Sequence, residues 1–111
     1  MADAVGRGLI GHVADVVRLE ATVIGRVQGV GFRYFARREA LALDLDGWVA
    51  NESNGSVRCV AEGPRNDLET FLSRLRDGPP GAFVERVVDA WMPATGTLSS
   101  FGVRSGGHQG D

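Results

Sequence analysis

The sequence predicts an α+β domain in two layers, a sheet with two helices packed on one face, and three observations carry that expectation. Apolar residues alternate with period two in some segments and recur at helical spacing in others. The segments follow one another in the order β, α, β, β, α, β, and no internal repeat or low-complexity linker interrupts them. The simplest two-layer arrangement of that order is an antiparallel sheet with both helices on one side, the ferredoxin-like or split βαβ fold. At 111 residues the chain is long enough for one core and too short for two.

The domain is expected over residues 17–104. Residues 1–16 show no clean period and read as a poorly ordered N-terminal extension, and "SGGHQGD" at 105–111 reads as a flexible tail. From Arg18 to Val27, Leu19, Ala21, Val23 and Val27 alternate with Arg18, Glu20, Thr22 and Arg26, the pattern of a strand with one buried face. After a glycine-rich stretch, Phe32, Phe35, Ala36, Ala40 and Leu43 recur at helical spacing, with Arg37, Arg38 and Glu39 on a solvated side; the helix should end before Gly47. "DGWVANESNGSVRCVAEG" reads as a hairpin, with Asn54 and Gly55 suited to a type I′ turn. A second helix follows, with Pro64 at a first helical position, Leu68, Phe71, Leu72 and Leu75 on one face, Arg74 and Arg76 in solvent, and Gly78, Pro79 and Pro80 as its stop. "FVERVVDAWMP" reads as a fourth strand whose phase stays open because Val87 and Val88 are adjacent, and "SSFGVR" as a short edge strand. Trp48 and Trp91 read as packing residues.

Composition narrows the functions available. With 43% hydrophobic and 23% charged residues the chain has the balance of a soluble globular protein. Its apolar runs fall short of the roughly 20 residues a membrane helix needs. All basic residues are arginine, which rules out lysine Schiff-base chemistry, and a net charge of −2 argues against a general nucleic-acid binder. One cysteine, Cys59, excludes an intrachain disulfide, fits a reducing compartment and reads as a buried mid-strand residue. His12 and His108 lie in the least structured-looking segments and are poor metal or catalytic candidates. The N-terminus lacks the pattern of a signal peptide, so a cytoplasmic protein is expected.

The stretch "GRVQGVGFR", Gly25 to Arg33, joins the first strand to the first helix. Gly29 and Gly31 allow successive backbone N–H groups to turn inward as an anion nest, and the helix adds its unpaired N–H groups and dipole. Arg33 falls in the helix's first turn, where a cation is unfavourable unless it grips an anion. On these residues alone two readings stand: a phosphate cradle, or a tight connection followed by a surface arginine. The glycines at 25, 29 and 31 match neither standard nucleotide-phosphate fingerprint.

The two motifs "GRVQGVGFR" and "GWVANESNGSV" resemble, in register, the two signatures of the acylphosphatase family, and the similarity in layout runs from about Arg18 to Arg104. That resemblance implies a ferredoxin-like fold and hydrolysis of acyl phosphates to a carboxylate and inorganic phosphate, with no metal or organic cofactor. It implies that Arg33 and Asn51 are the catalytic residues, Arg33 binding the phosphoryl group and Asn51 orienting the attacking water. The loop of Gln28, Gly29, Val30, Gly31 and Phe32 would be the phosphate cradle. It further implies a small-molecule acyl phosphate as partner, with inorganic phosphate as product; no nucleic acid, no membrane and a monomer are expected. Asn51 has other readings: a local hydrogen-bonding residue at a strand end, or, with Glu52 and Ser53, a glycosylation acceptor.

The chemistry is consistent with such a site. An acyl phosphate expels a carboxylate whose conjugate acid has a pKa of roughly 4, so no general acid is required at neutral pH. What is required is charge stabilisation on the phosphoryl oxygens and a positioned water, within reach of an arginine, a backbone nest and a side-chain amide. Two other classes compete. One is a noncatalytic phosphate- or carbamoyl-phosphate-binding module of the same fold. The other is an RNA-recognition-like domain, which would need a basic surface and aromatic residues on its central strands, whereas "SVRCVAEG" offers no aromatic residue.

Overall fold

The structure is a computed structural model that describes residues 16–105. His12, His108 and, apart from Val16 and Ser105, the expected extension and tail lie outside the described residues. Seven elements follow in order: β1 (Val16–Arg26), α1 (Phe32–Ala42), β2 (Asp46–Asn51), β3 (Val57–Pro64), α2 (Arg65–Asp77), β4 (Phe83–Pro93) and β5 (Gly102–Arg104). The sheet order is β4-β1-β3-β2-β5. The first four strands pair antiparallel, as the ferredoxin-like arrangement requires, and β5 joins the edge of β2 in parallel, so the five-stranded sheet is mixed.

The core lies between the sheet and the two helices. Leu19, Ala21 and Val23 of β1 face Phe32, Ala36 and Ala40 of α1 and Leu68, Phe71, Leu72 and Leu75 of α2 in one buried cluster. Cys59 belongs to it, and burial pushes its thiol pKa up to about 12 against a small opposing effect of Arg58, so it is an inert core residue. On the other face of the sheet, Arg18 Nε meets Glu62 at 2.8 Å, its Nη1 meets Glu20 at 3.2 Å, and Arg58 reaches Glu20 at 2.6 Å. Those four residues form a network of paired charges on that face.

Three local expectations are corrected and one left open is settled. The β2–β3 connection is not a type I′ turn: among the described residues Asp44 is the only non-glycine with positive φ, so Asn54 does not adopt one. Instead Glu52 N–H donates to Ser56 O (2.9 Å) and closes a three-residue loop, with Gly55 at φ 94° and the Asn54 carboxamide accepting from Ser56 N–H (3.0 Å) and Oγ (2.7 Å). Pro64 ends β3 and serves as the N-cap of α2, extended at ψ 140°, rather than its first helical residue. The open phase of β4 is settled by register: Val87 stands opposite core Val23, and Val88, opposite Thr22, is 54% exposed. Arg74 is not merely solvated, since it bonds Glu39 of α1 at 2.9 Å and ties the helices together, and Arg76 lies 3.6 Å from Asp89.

Candidate active site

The three glycines of the opening motif have two different jobs. Gly25, at φ 144°, sits at the register shift between β1 and β4, where a Cβ would run into the backbone carbonyl of Phe83; its role is strand packing. Gly29 and Gly31, at φ 76° and 79°, belong to the turn between β1 and α1. A Cβ on either would meet no atom within 4 Å, so their demand is conformational, and the space before them is open.

Gly31 is also the N-cap of α1, in a left-handed conformation, without a side-chain hydrogen bond to the helix end. The first turn contains no acidic residue. The N–H groups that begin any helix lack intrahelical acceptors, and here neither a capping side chain nor a carboxylate answers the positive end of the dipole. Arg33, in that turn, is half-buried, and its Nη1 donates to the backbone carbonyl of Arg104 at 3.3 Å, a long bond that links the guanidinium to the end of β5.

Asn51 reaches the same place from the sheet. It is the last residue of β2, opposite Val57, and is 6% exposed. Gln28 joins the two segments: its carboxamide nitrogen donates to the carbonyls of Glu52 (2.8 Å) and Ser56 (2.9 Å), committing both side-chain hydrogens to the hairpin that follows Asn51. The glycine-rich turn is thereby stapled to the strand end that carries the amide.

Between them lies a hollow of about 150 Å³ lined by Gly29, Gly31, Phe32, Arg33 and Asn51, together with Val27 and Tyr34. Of the residues expected at the site, five therefore converge. Gln28 and Val30 do not line the hollow; the side chain of Gln28 acts on its frame, and Val30 packs against the core. Tyr34 was not anticipated from the sequence, although its position directly after Arg33 in the first helical turn was a signal available there. Uncapped N–H groups, a guanidinium and a carboxamide around a small open space can bind a tetrahedral anion and hold a water beside it.

The comparisons with known proteins point the same way. The acylphosphatase family profile matches residues 19–103. An acylphosphatase from Salinibacter ruber is 51% identical over 87 residues, covering 78% of this chain and 92% of that protein. The structure of an acylphosphatase from Coxiella burnetii superposes with a TM-score of 0.78 at 38% identity, over 84% of this chain and 97% of the other. Full-length HypF, solved in a phosphate- and nucleotide-bound form, gives a TM-score of 0.75 at 25% identity, but there the match spans 82% of this chain and only 12% of the larger one. With a matching profile over most of its length and relatives of near-equal extent, the chain belongs to the acylphosphatase family.

Proposed function

We propose that the chain is an acylphosphatase, which hydrolyses the carboxyl–phosphate bond of a small acyl phosphate by in-line attack of water, without a metal, and releases a carboxylate and inorganic phosphate. The observation that carries this is the convergence of Gly29, Gly31, Arg33 and Asn51 on one hollow at the uncapped N-terminus of α1. The N–H groups along residues 28–32 and the dipole cradle the phosphoryl oxygens. Arg33 adds a two-pronged cationic grip and stabilises the charge spread over those oxygens in the transition state.

Asn51 holds the attacking water. An amide has no useful proton affinity, so the water's proton passes to a phosphoryl oxygen of the substrate or to solvent. The hollow's lining includes no imidazole and no carboxylic acid, and the chemistry asks for none, because a carboxylate leaves without protonation. A monomer working in the cytoplasm completes the reading.

The noncatalytic alternative, a phosphate- or carbamoyl-phosphate-binding module, is less well supported. The match to HypF takes up 12% of a longer chain, whereas this chain matches the Salinibacter ruber acylphosphatase over 92% of that protein. The two readings separate in an assay of the purified protein with acetyl phosphate and benzoyl phosphate, with and without chelator. Release of inorganic phosphate at the same rate in both conditions is expected. Binding of phosphate without turnover would favour the module, and loss of activity on chelation would contradict the metal-free reaction.

A further inference from the structure

An acyl phosphate has two dissimilar parts, and the hollow accommodates one. Its volume of about 150 Å³ lies below the several hundred Å³ of pockets that enclose an organic ligand. It holds a phosphoryl group and little besides, so the acyl group must lie at its mouth.

Two aromatic residues line the hollow, and they differ sharply. Phe32 is 1% exposed and belongs to the core, whereas Tyr34 is 62% exposed. Tyr34 follows Arg33 directly on α1, so a rigid helix fixes its distance from the phosphate-binding guanidinium. Among the described residues no other ring and no guanidinium packs on it, although Phe35 next along carries both a ring contact with Phe32 and the guanidinium of Arg38. An exposed ring with a polar tip at the rim of a hollow offers a face on which a ligand's ring can stack.

Aromatic rings beside other hollows are already occupied: Phe35, which borders one between the helices, by Phe32 and Arg38, and Trp48 by Arg104. Trp48, with Ser99, Ser100 and Arg104, lines a larger space of about 230 Å³, but the Arg104 guanidinium lies 4.4 Å from the Trp48 ring centre. We propose that Tyr34 is the contact surface for the acyl group and sets a preference for aromatic acyl phosphates over acetyl phosphate. This inference rests on the proposed acylphosphatase reaction and adds its substrate class. The ring of an aroyl phosphate, with its phosphoryl group seated in the hollow, stacks on the phenol, and acetyl is too small to cover it.

The test compares kcat/KM for benzoyl phosphate and for acetyl phosphate in the wild-type protein, Tyr34→Ala and Tyr34→Phe. Removing one aromatic contact should lower the benzoyl-to-acetyl ratio in Tyr34→Ala by about three- to tenfold, carried by KM for benzoyl phosphate. Tyr34→Phe keeps the ring and should keep the ratio. A ratio that moves less than twofold in Tyr34→Ala, whether both activities fall together or neither does, would overturn the inference while leaving the hydrolase intact. A wild-type protein that hydrolyses neither compound would overturn the proposed reaction and this inference with it.

Discussion

Arg33 occupies a position that electrostatics alone disfavours: a cation in the first turn of a helix opposes the dipole by several tenths of a kcal/mol. Its compensation in the free protein is one long bond to the Arg104 carbonyl, weak beside what a bound phosphoryl group would offer. Lysine keeps the charge but loses the planar fork, so Arg33→Lys is expected to lower kcat/KM by roughly 10³ or more. Steady-state kinetics with benzoyl phosphate check this, and near-normal turnover would remove Arg33 from its role. Asn51 contributes at a different step. If it positions water, Asn51→Ala lowers kcat strongly and leaves competitive inhibition by inorganic phosphate nearly unchanged; the reverse pattern would make it a binding residue. Gly31 tests the cradle, because an alanine there meets no clash but must hold φ 79°. Gly31→Ala should cost about 1–2 kcal/mol of stability by denaturant titration, with a larger relative loss of activity as the turn relaxes.

At the scale of elements, the site depends on a junction between two connections distant in sequence. The Gln28 carboxamide spans them with two hydrogen bonds of 2.8 and 2.9 Å. Gln28→Ala should destabilise the fold by about 1–3 kcal/mol, because two part-buried carbonyls each lose one of two donors, and should lower kcat because Asn51 loses its fixed distance from the turn. Urea melts and kinetics on the same variant check both, and unchanged values would make the staple ornamental. The local patterns were legible: alternation in β1 and the spacing of Leu68, Phe71, Leu72 and Leu75 identified their elements, and the buried faces are those. What was not legible depends on partners elsewhere in the chain. Val87 and Val88 are equivalent until pairing with Val23 and Thr22 divides them. Asn54-Gly55 is the usual signal for a two-residue turn, but Asn54 spends its carboxamide on Ser56 and a longer loop results. The destination of the Gln28 side chain, likewise, required the hairpin to be in place.

The whole molecule has a second polar centre, at the end of the sheet away from the hollow. Glu62, 5% exposed, stands opposite Arg18 near the start of β1 and Asp46 at the start of β2. Its carboxylate accepts from Arg18 Nε (2.8 Å), Thr95 N–H (2.9 Å), Thr95 Oγ1 (3.0 Å) and Gly96 N–H (3.0 Å), and so pins the chain between β4 and β5. Burial raises its pKa, but the N–H groups of Thr95 and Gly96, the guanidinium and the hydroxyl outweigh that and hold it down at about 2, against an ordinary 4.5. The stabilisation is therefore complete above pH 4.5 and disappears as pH falls toward 2. Denaturant melts should show Glu62→Gln less stable than wild type by roughly 3 kcal/mol at pH 7, with the gap closing as pH is lowered; a gap independent of pH would contradict the assignment. Both polar centres meet through β5, which begins after the pinned segment and ends at the carbonyl bonded by Arg33. The reaction itself depends on the hollow, and the position of inorganic phosphate in crystals soaked with it tests that most directly. Phosphate is expected between Gly29 and Arg33, bonded by main-chain N–H groups and the guanidinium with Asn51 beside it; phosphate bound only elsewhere, with the turn's N–H groups directed away from the hollow, would contradict the proposed site.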